Sequence, residues 1–127
     1  MHQHLLVVDD DDEVRAFLVS ALEESGYAVL AAPDGPSALQ LFSERDFDLV
    51  LIDFALPGMT GIELVERIRE QKPGQKLLLI SGYAGTAVLQ RAAGNVPIVA
   101  KPVAVNDLAA AVKATLDDQA DGTAAAD

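Results

Sequence analysis

Five short apolar runs divide the chain, and the segments between them are polar or amphipathic. The runs cover residues 5–8, 49–52, 77–80 and 96–100, with a weaker one at 27–31. Each run has the length of one strand, and the apolar residues are continuous instead of alternating with polar ones. Continuous apolar strands are typical of a parallel sheet that helices cover on both faces. The pattern therefore predicts five buried strands.

The first two segments between these runs carry helix signals. Apolar residues at three- and four-residue spacing form one stripe of the first helix, made of Val14, Phe17, Leu18, Ala21 and Leu22. Gly26 follows this stripe as a stop signal. The second helix is predicted to open near Gly35-Pro36, because proline suits the first turn of a helix.

Three further helices are predicted in the second half of the chain. Thr60 and Glu63 have the spacing of a capping box, which opens the third helix. A short fourth helix of weak amphipathicity is expected over residues 86–93. The apolar positions of the fifth helix are Leu108, Val112 and Leu116.

Strands and helices thus alternate five times, which predicts an α/β fold with right-handed crossovers between parallel strands. We expect a three-layer, doubly wound (βα)5 domain over residues 1–116, with the five-stranded sheet between two layers of helices. Residues 117–127 are rich in alanine and aspartate, and we expect them to form a frayed or disordered tail.

Composition narrows the functional classes. The 127 residues suffice for one domain, and a formal net charge of −11 argues against direct binding to nucleic acids or anionic membranes. The absence of cysteine excludes disulfides and thiol chemistry. No apolar run is long enough to span a bilayer, and the N-terminus lacks the basic start of a signal peptide, so a cytoplasmic location is expected.

Polar residues that could carry chemistry follow four of the predicted strands. They are Asp9-Asp10, Asp53, Ser81-Gly82 and Lys101-Pro102, after the first, third, fourth and fifth strands. Because ligand sites of open parallel sheets lie beyond the carboxyl ends of the strands, we expect these side chains to lie close together. Three carboxylates repel one another and require a cation, and an all-oxygen ligand set favours Mg²⁺. A carboxylate can also act as a nucleophile and form an aspartyl phosphate.

Each of these residues also has a purely structural interpretation. The aspartates at positions 9–12 could cap the helix that follows them, and this is the interpretation that we favour for Asp11 and Asp12. Asp53 and Ser81 could be turn residues, and Lys101 could be a surface lysine. Only their occurrence together, each at the end of a strand, favours a functional site.

Four segments resemble the motifs of response-regulator receiver domains. They are VVDDDDEVR, LVLIDFALPGMTGIEL, LLLISGYA and VAKPV, in the order and spacing of that family over residues 4–116. The resemblance is to the flavodoxin-like chemotaxis-regulator type and implies strand order 2-1-3-4-5. It also implies a phosphoacceptor of a two-component phosphorelay, in which phosphorylation switches protein–protein contacts or passes the phosphoryl group onward. Such a domain catalyses only its own phosphorylation and dephosphorylation and is not otherwise an enzyme.

The resemblance assigns roles to the acidic residues. It implies that Asp53 accepts the phosphoryl group. It also implies that Mg²⁺ is held by Asp9, Asp10, Asp53 and the backbone carbonyl of Ala55. The phosphoryl donor would be a phosphohistidine, carried by a sensor histidine kinase or by a histidine phosphotransfer protein. The downstream protein target is not identified by the sequence, which is compatible with a free-standing chain and with part of a larger kinase.

The remaining roles concern the phosphoryl group itself. Ser81 corresponds to the switch hydroxyl of the family, with Gly82 leaving room beside it. Lys101 corresponds to the phosphate-binding lysine, and its bond to Pro102 corresponds to a cis peptide of the family. Tyr83 is expected to border the mouth of the site.

The chain departs from the family pattern near the fifth strand. Ile98 stands where an aromatic residue often couples to the switch hydroxyl, and Val103 stands where phenylalanine is common. Receivers attached to sensor kinases resemble this chain in that respect. The sequence therefore casts doubt on the usual aromatic rotation, although not on phosphorylation.

Two other functional classes remain open. A phosphatase with an aspartate nucleophile usually has a second acid two residues later, and this chain has Ala55 at that position, so general acid catalysis lacks a candidate. A binding module that uses no phosphate would be favoured by failure to bind Mg²⁺. The complete set of aspartates, serine and lysine argues against such a module.

Overall fold

A computed structural model describes residues 2–82, 94 and 96–117 of the chain. The strands are β1 (His4–Val8), β2 (Ala28–Ala32), β3 (Leu49–Asp53), β4 (Leu77–Ser81) and β5 (Ile98–Ala100). The described helices are α1 (Asp12–Glu24), α2 (Gly35–Glu44), α3 (Gly61–Gln71) and α4 (Val105–Asp117). All neighbouring strands pair in parallel, in the order β2-β1-β3-β4-β5. The predicted doubly wound fold and its strand order are confirmed.

Two predicted segments fall largely or wholly beyond this description. The helix expected over residues 86–93 lies outside the described residues, as does the tail from residue 118 onward. Asp117 is the last residue of α4.

The sheet has an apolar core on each face, and the two cores are filled by alternate residues of the same strands. In β1, Leu6 and Val8 belong to the core under α2 and α3, whereas Leu5 and Val7 belong to the core under α1 and α4. The central strands β3 and β4 alternate in the same way. Because both faces are covered, the inner positions of β1, β3 and β4 are all apolar, and polar residues occur only at strand ends, as His4, Asp53 and Ser81 do. This is why the runs are continuous in the sequence.

The helices begin where polar caps satisfy their first backbone N–H groups. Asp11 caps α1, accepting from the backbone N–H groups of Glu13 and Val14, and Asp12 lies in the first turn. Thr60 and Glu63 form the predicted capping box at the start of α3. These contacts confirm that Asp11 and Asp12 have structural roles at the start of α1, where acidic residues are favoured.

Two details differ from the sequence prediction. Strand β5 begins at Ile98 and not at Val96, because Pro97 has no N–H to donate to the ladder. Phe17 belongs to the apolar stripe predicted for α1, but its side chain is 40% exposed and does not join the core. Phe17 instead lines a groove together with Val14, Pro102 and Val103.

None of the helices in the described part of the chain is both long enough and apolar enough to cross a membrane.

Gly61 brings the start of α3 against the backbone that follows β3. A Cβ atom at this position would lie 2.7 Å from Phe54 Cα and 2.8 Å from the carbonyl oxygen of Asp53. The Gly61 N–H donates to the carbonyl oxygen of Phe54 at 2.9 Å. The absence of a side chain at Gly61 therefore fixes how closely α3 approaches the end of β3.

We expect Gly61→Ala to destabilise the protein by about 1–3 kcal/mol, because the added methyl group meets backbone atoms that cannot rotate away. Urea denaturation of the parent and the variant measures this difference. Gly74→Ala is the matched control, since a Cβ there meets no atom within 4 Å. Equal stability of Gly61→Ala and the parent would contradict the expectation.

Candidate functional site

The strand register aligns the carboxyl ends of four strands at one edge of the sheet. Val8 of β1 pairs with Ile52 of β3, so Asp9 follows β1 at the level where Asp53 ends β3. Ser81, the last residue of β4, pairs with Ala100 of β5, and Lys101 follows directly. The topology therefore brings these residues to one edge of the sheet, as the sequence predicts.

Side-chain alternation explains why three of these groups also share one face. Asp53 lies two residues after Leu51 and four after Leu49, so its side chain is on the same face of β3 as theirs, the face that α1 and α4 cover. Asp9 lies two residues after Val7, and Lys101 lies two residues after Val99. Because side chains alternate along a strand, both are expected on this same face of the sheet.

Lys101 joins the two buried carboxylates. Its Nζ lies 3.3 Å from Asp53 Oδ2 and 3.5 Å from Asp9 Oδ2, and both aspartates are buried. Burial alone would lower the pKa of the Lys101 ammonium, but the charges of Asp53 and then Asp9 outweigh burial and raise this pKa above its ordinary value. Lys101 is therefore held in its charged form by the carboxylates that it neutralises.

Asp9 is the most constrained of the acids. Its side chain is fully buried, and burial is the main reason that the pKa of its carboxyl lies above the ordinary value of 3.8. The hydrogen bond from the Asp11 N–H to Oδ1, at 2.9 Å, acts in the opposite direction, and the charge of Asp53 adds to the upward shift. The environment of Asp9 thus disfavours its charge, which the Asp11 N–H and Lys101 balance only in part.

The acidic residues fit a divalent cation. One carboxylate oxygen from each of Asp9, Asp10 and Asp53 lies within 4.8 Å of the others, with Asp10 exposed at the opening. Asp9 Oδ2 is buried and accepts no hydrogen bond from any described residue. Three carboxylates beside one ammonium leave a formal charge of −2, which one divalent cation would balance. An all-oxygen set of this kind suits a hard ion.

The other predicted site residues lie around this cluster. The backbone N–H of Ala55 donates to Asp53 Oδ1 at 3.2 Å, and the role of the Ala55 carbonyl stays a prediction. Ser81 is buried, its carbonyl accepts from the Lys101 N–H at 3.0 Å, and Gly82 is exposed in the turn that follows. The Lys101–Pro102 peptide bond is cis.

Two predicted positions do not join the cluster. Ile98 is partly buried and packs against the core on the α2 and α3 side of the sheet. Tyr83, expected at the mouth of the site, lies outside the described residues.

Comparison with known proteins identifies the family. The profile of the response regulator receiver domain matches residues 5–113. The chain belongs to the response regulator receiver family. The receiver protein CpdR from Brucella abortus is 37% identical over 108 residues, which cover 84% of this chain and 90% of CpdR.

Two further similarities place this receiver domain among two-component proteins. It is 34% identical to sensor kinase CckA from Brucella abortus over 91% of this chain, but it spans only 13% of CckA. The solved structure of response regulator TrrA from Thermotoga maritima, in complex with Mg²⁺ and BeF, is 32% identical with a TM-score of 0.79. That match covers 89% of this chain and 98% of TrrA.

The structure also shows two neighbours of the site that the sequence did not indicate. Phe17 lies in a groove of about 550 Å³ beside Lys101, with Val14, Pro102 and Val103. Arg15 donates a hydrogen bond to the backbone carbonyl of Asp9. An apolar stripe does not separate a groove residue from a core residue, and no sequence motif marks a bond to a backbone carbonyl.

We expect Asp9→Asn to raise the melting temperature of the receiver at pH 7 in the presence of EDTA. A carboxyl whose pKa is raised by folding destabilises the folded state once it ionises. This destabilisation sets in as the pH rises above 3.8 and through the raised value, and it is absent where Asp9 is protonated. The advantage of Asp9→Asn should therefore shrink as the pH falls toward 3.8. Circular dichroism melts across this range measure it, and a lower melting temperature of the variant at pH 7 would contradict the expectation.

Proposed function

We propose that this receiver domain accepts a phosphoryl group on Asp53 in a Mg²⁺-dependent reaction. The observation that carries this proposal is the position of Lys101 Nζ between the buried carboxylates of Asp53 and Asp9. A lysine held there is charged and lies next to the oxygen that would receive the phosphoryl group. The complex of TrrA with Mg²⁺ and BeF supports the same use of the acidic cluster.

The protein's own residues would act mainly by position and charge. Asp53 attacks phosphorus through a carboxylate oxygen, forming a P–O bond as the P–N bond to the donor histidine breaks, and the histidine nitrogen keeps the electron pair. Lys101 stays charged and pairs with a phosphoryl oxygen, as it now pairs with Asp53 Oδ2. Bound Mg²⁺ would neutralise part of the charge on the phosphoryl oxygens. Asp9 and Asp10 would hold it, together with Asp53.

We also propose that the domain is a signalling phosphoacceptor and not an enzyme that acts on other phosphate esters. Position 55, two residues after Asp53, is an alanine, whose methyl group cannot protonate a leaving group. Loss of the phosphoryl group would depend on water. Its transfer to a second protein would depend on an acceptor histidine that approaches the same edge.

The partners follow from this chemistry. The donor is a sensor histidine kinase or a histidine phosphotransfer protein, and the similarity to part of sensor kinase CckA supports this class of partner. A downstream protein that distinguishes the phosphorylated form completes the pathway. With such partners the domain would act in the cytoplasm, and its net charge of −11 argues against nucleic acid or an anionic membrane as a direct ligand.

Acetyl phosphate tests the phosphoacceptor directly. We expect intact-mass spectrometry to show one phosphoryl adduct on the parent in Mg²⁺, no adduct in EDTA, and none on Asp53→Asn. Asp46→Asn is the matched control, because it removes one acid from an exposed position remote from the cluster. An adduct on Asp53→Asn at the parent level, or equal labelling in EDTA, would contradict the proposal.

We infer that the donor protein docks on the groove beside Lys101. A phosphohistidine that reaches Asp53 must enter at the open edge of the sheet, and the groove lined by Val14, Phe17 and Val103 adjoins this edge. Its exposed apolar surface would be covered by the donor during transfer, as the central residues of an interface are.

We therefore expect Phe17→Ala to slow phosphotransfer from a phosphohistidine donor by about tenfold while labelling by acetyl phosphate changes less than about twofold. The basis is that loss of a central aromatic anchor typically costs more than 1 kcal/mol. Rates of transfer from a phosphorylated histidine phosphotransfer protein measure the first quantity. Val105→Ala is the control, since Val105 is also exposed but does not line the groove. A parallel loss with both donors would show damage to the site and not to docking.

A further inference from the structure

Arg15 bridges the backbone of the acidic loop and the first turn of α1. Its Nη1 donates to the carbonyl oxygen of Asp9 at 2.8 Å, and its Nη2 donates to Asp12 Oδ1 at 2.6 Å. The Arg15 side chain is 22% exposed, whereas Asp12 is 88% exposed. One end of the guanidinium thus contacts a buried residue of the site, and the other end is held by a surface carboxylate.

The carbonyl of Asp9 lies just past the end of β1, where the ladder between β1 and β3 has ended. The other polar groups of Asp9 have partners from three directions. Its N–H donates to the Ala32 carbonyl at 3.2 Å, its Oδ1 accepts from the Asp11 N–H, and its Oδ2 faces Lys101. Arg15 supplies the partner of the carbonyl and so completes the fixation of this residue.

We propose that Arg15 is a positioning residue for the cation site. By holding the Asp9 carbonyl and the start of α1 together, it sets the turn that carries Asp9 and Asp10, so that both carboxylates converge before a cation arrives. Arg15 contacts neither carboxylate of this pair and acts through the backbone. The inference rests on the proposed use of Mg²⁺ by the receiver.

The charge of Arg15 has the opposite effect on cation binding. A guanidinium close to three carboxylates repels a divalent cation, so its removal would tighten Mg²⁺ binding if charge were its only contribution. If its role is positioning, removal loosens the turn and weakens binding. The sign of the change in Mg²⁺ affinity therefore separates the two roles.

The experiment compares the Mg²⁺ dissociation constants of the parent, Arg15→Met, Arg15→Lys and Arg67→Met by isothermal titration calorimetry. Methionine keeps an apolar stem without the donors, and lysine keeps the charge without the two-pronged geometry. Arg67 is exposed on α3 and serves as the matched charge control. Melting curves define a temperature at which all four proteins are folded.

We expect Arg15→Met and Arg15→Lys to bind Mg²⁺ about tenfold more weakly than the parent, as is common when a group that orients a metal ligand is lost. Arg67→Met should stay within about twofold of the parent. In apo NMR spectra, the amide signals of Asp10 and Asp11 should shift in Arg15→Met but not in Arg67→Met.

Two results would overturn the inference. If Arg15→Met binds Mg²⁺ as tightly as the parent or more tightly, Arg15 affects the site only through its charge. If Arg15→Lys keeps the full affinity, the two-pronged contact is dispensable. Failure of the parent itself to bind Mg²⁺ would overturn both this inference and the metal dependence of the proposed function. In that case, the acetyl phosphate reaction of the parent shows whether Asp53 still accepts a phosphoryl group.

Discussion

The pairing of Lys101 with two buried carboxylates is the interaction on which the carboxyl edge of the sheet depends. Burying Asp9 and Asp53 without a cation would leave uncompensated charges in a region of low polarity. Lys101 follows β5, whereas Asp53 ends β3 and Asp9 follows β1, so its side chain has to cross the end of β4 to contact both carboxylates. Strand β4 ends at Ser81 and Gly82 follows it, so no bulky side chain stands at the end of this strand.

Lys101 compensates the negative charge of this edge only in part. One ammonium lies beside three acids, and burial together with the charge of Asp53 still holds the pKa of Asp9 above its ordinary value. A fold selected only for stability would replace such a group by an apolar one of similar size. A cluster kept short of positive charge can instead take up a cation and then a phosphoryl group. Both the missing positive charge and the exposure of Asp10 suit the proposed binding of a cation at this edge.

Much of the fold and the meeting of the site residues follow from the sequence, because both depend on local patterns. Strands covered on both faces have continuous apolar runs, and the parity of Asp53 with Leu49 and Leu51 is visible in the residue order. The environment of Phe17 is not visible, because it depends on where the chain after Lys101 passes relative to α1. The contact of Arg15 is equally hidden, since its acceptor is a backbone carbonyl that every residue possesses.

The two cationic side chains of the site differ in what they contact, and this difference suits their chemistry. Lys101 pairs with carboxylate oxygens, so in the proposed reaction it would move to a phosphoryl oxygen on Asp53, which a compact point charge on a flexible stem permits. Arg15 binds a backbone carbonyl and a surface acid, so the carboxylates of Asp9 and Asp10 stay available to a cation. A positive group that fixes the turn after β1 but leaves the carboxylate oxygens of Asp9 and Asp10 available must bind other atoms of this turn. The guanidinium of Arg15 does so through the backbone carbonyl of Asp9 and the carboxylate of Asp12.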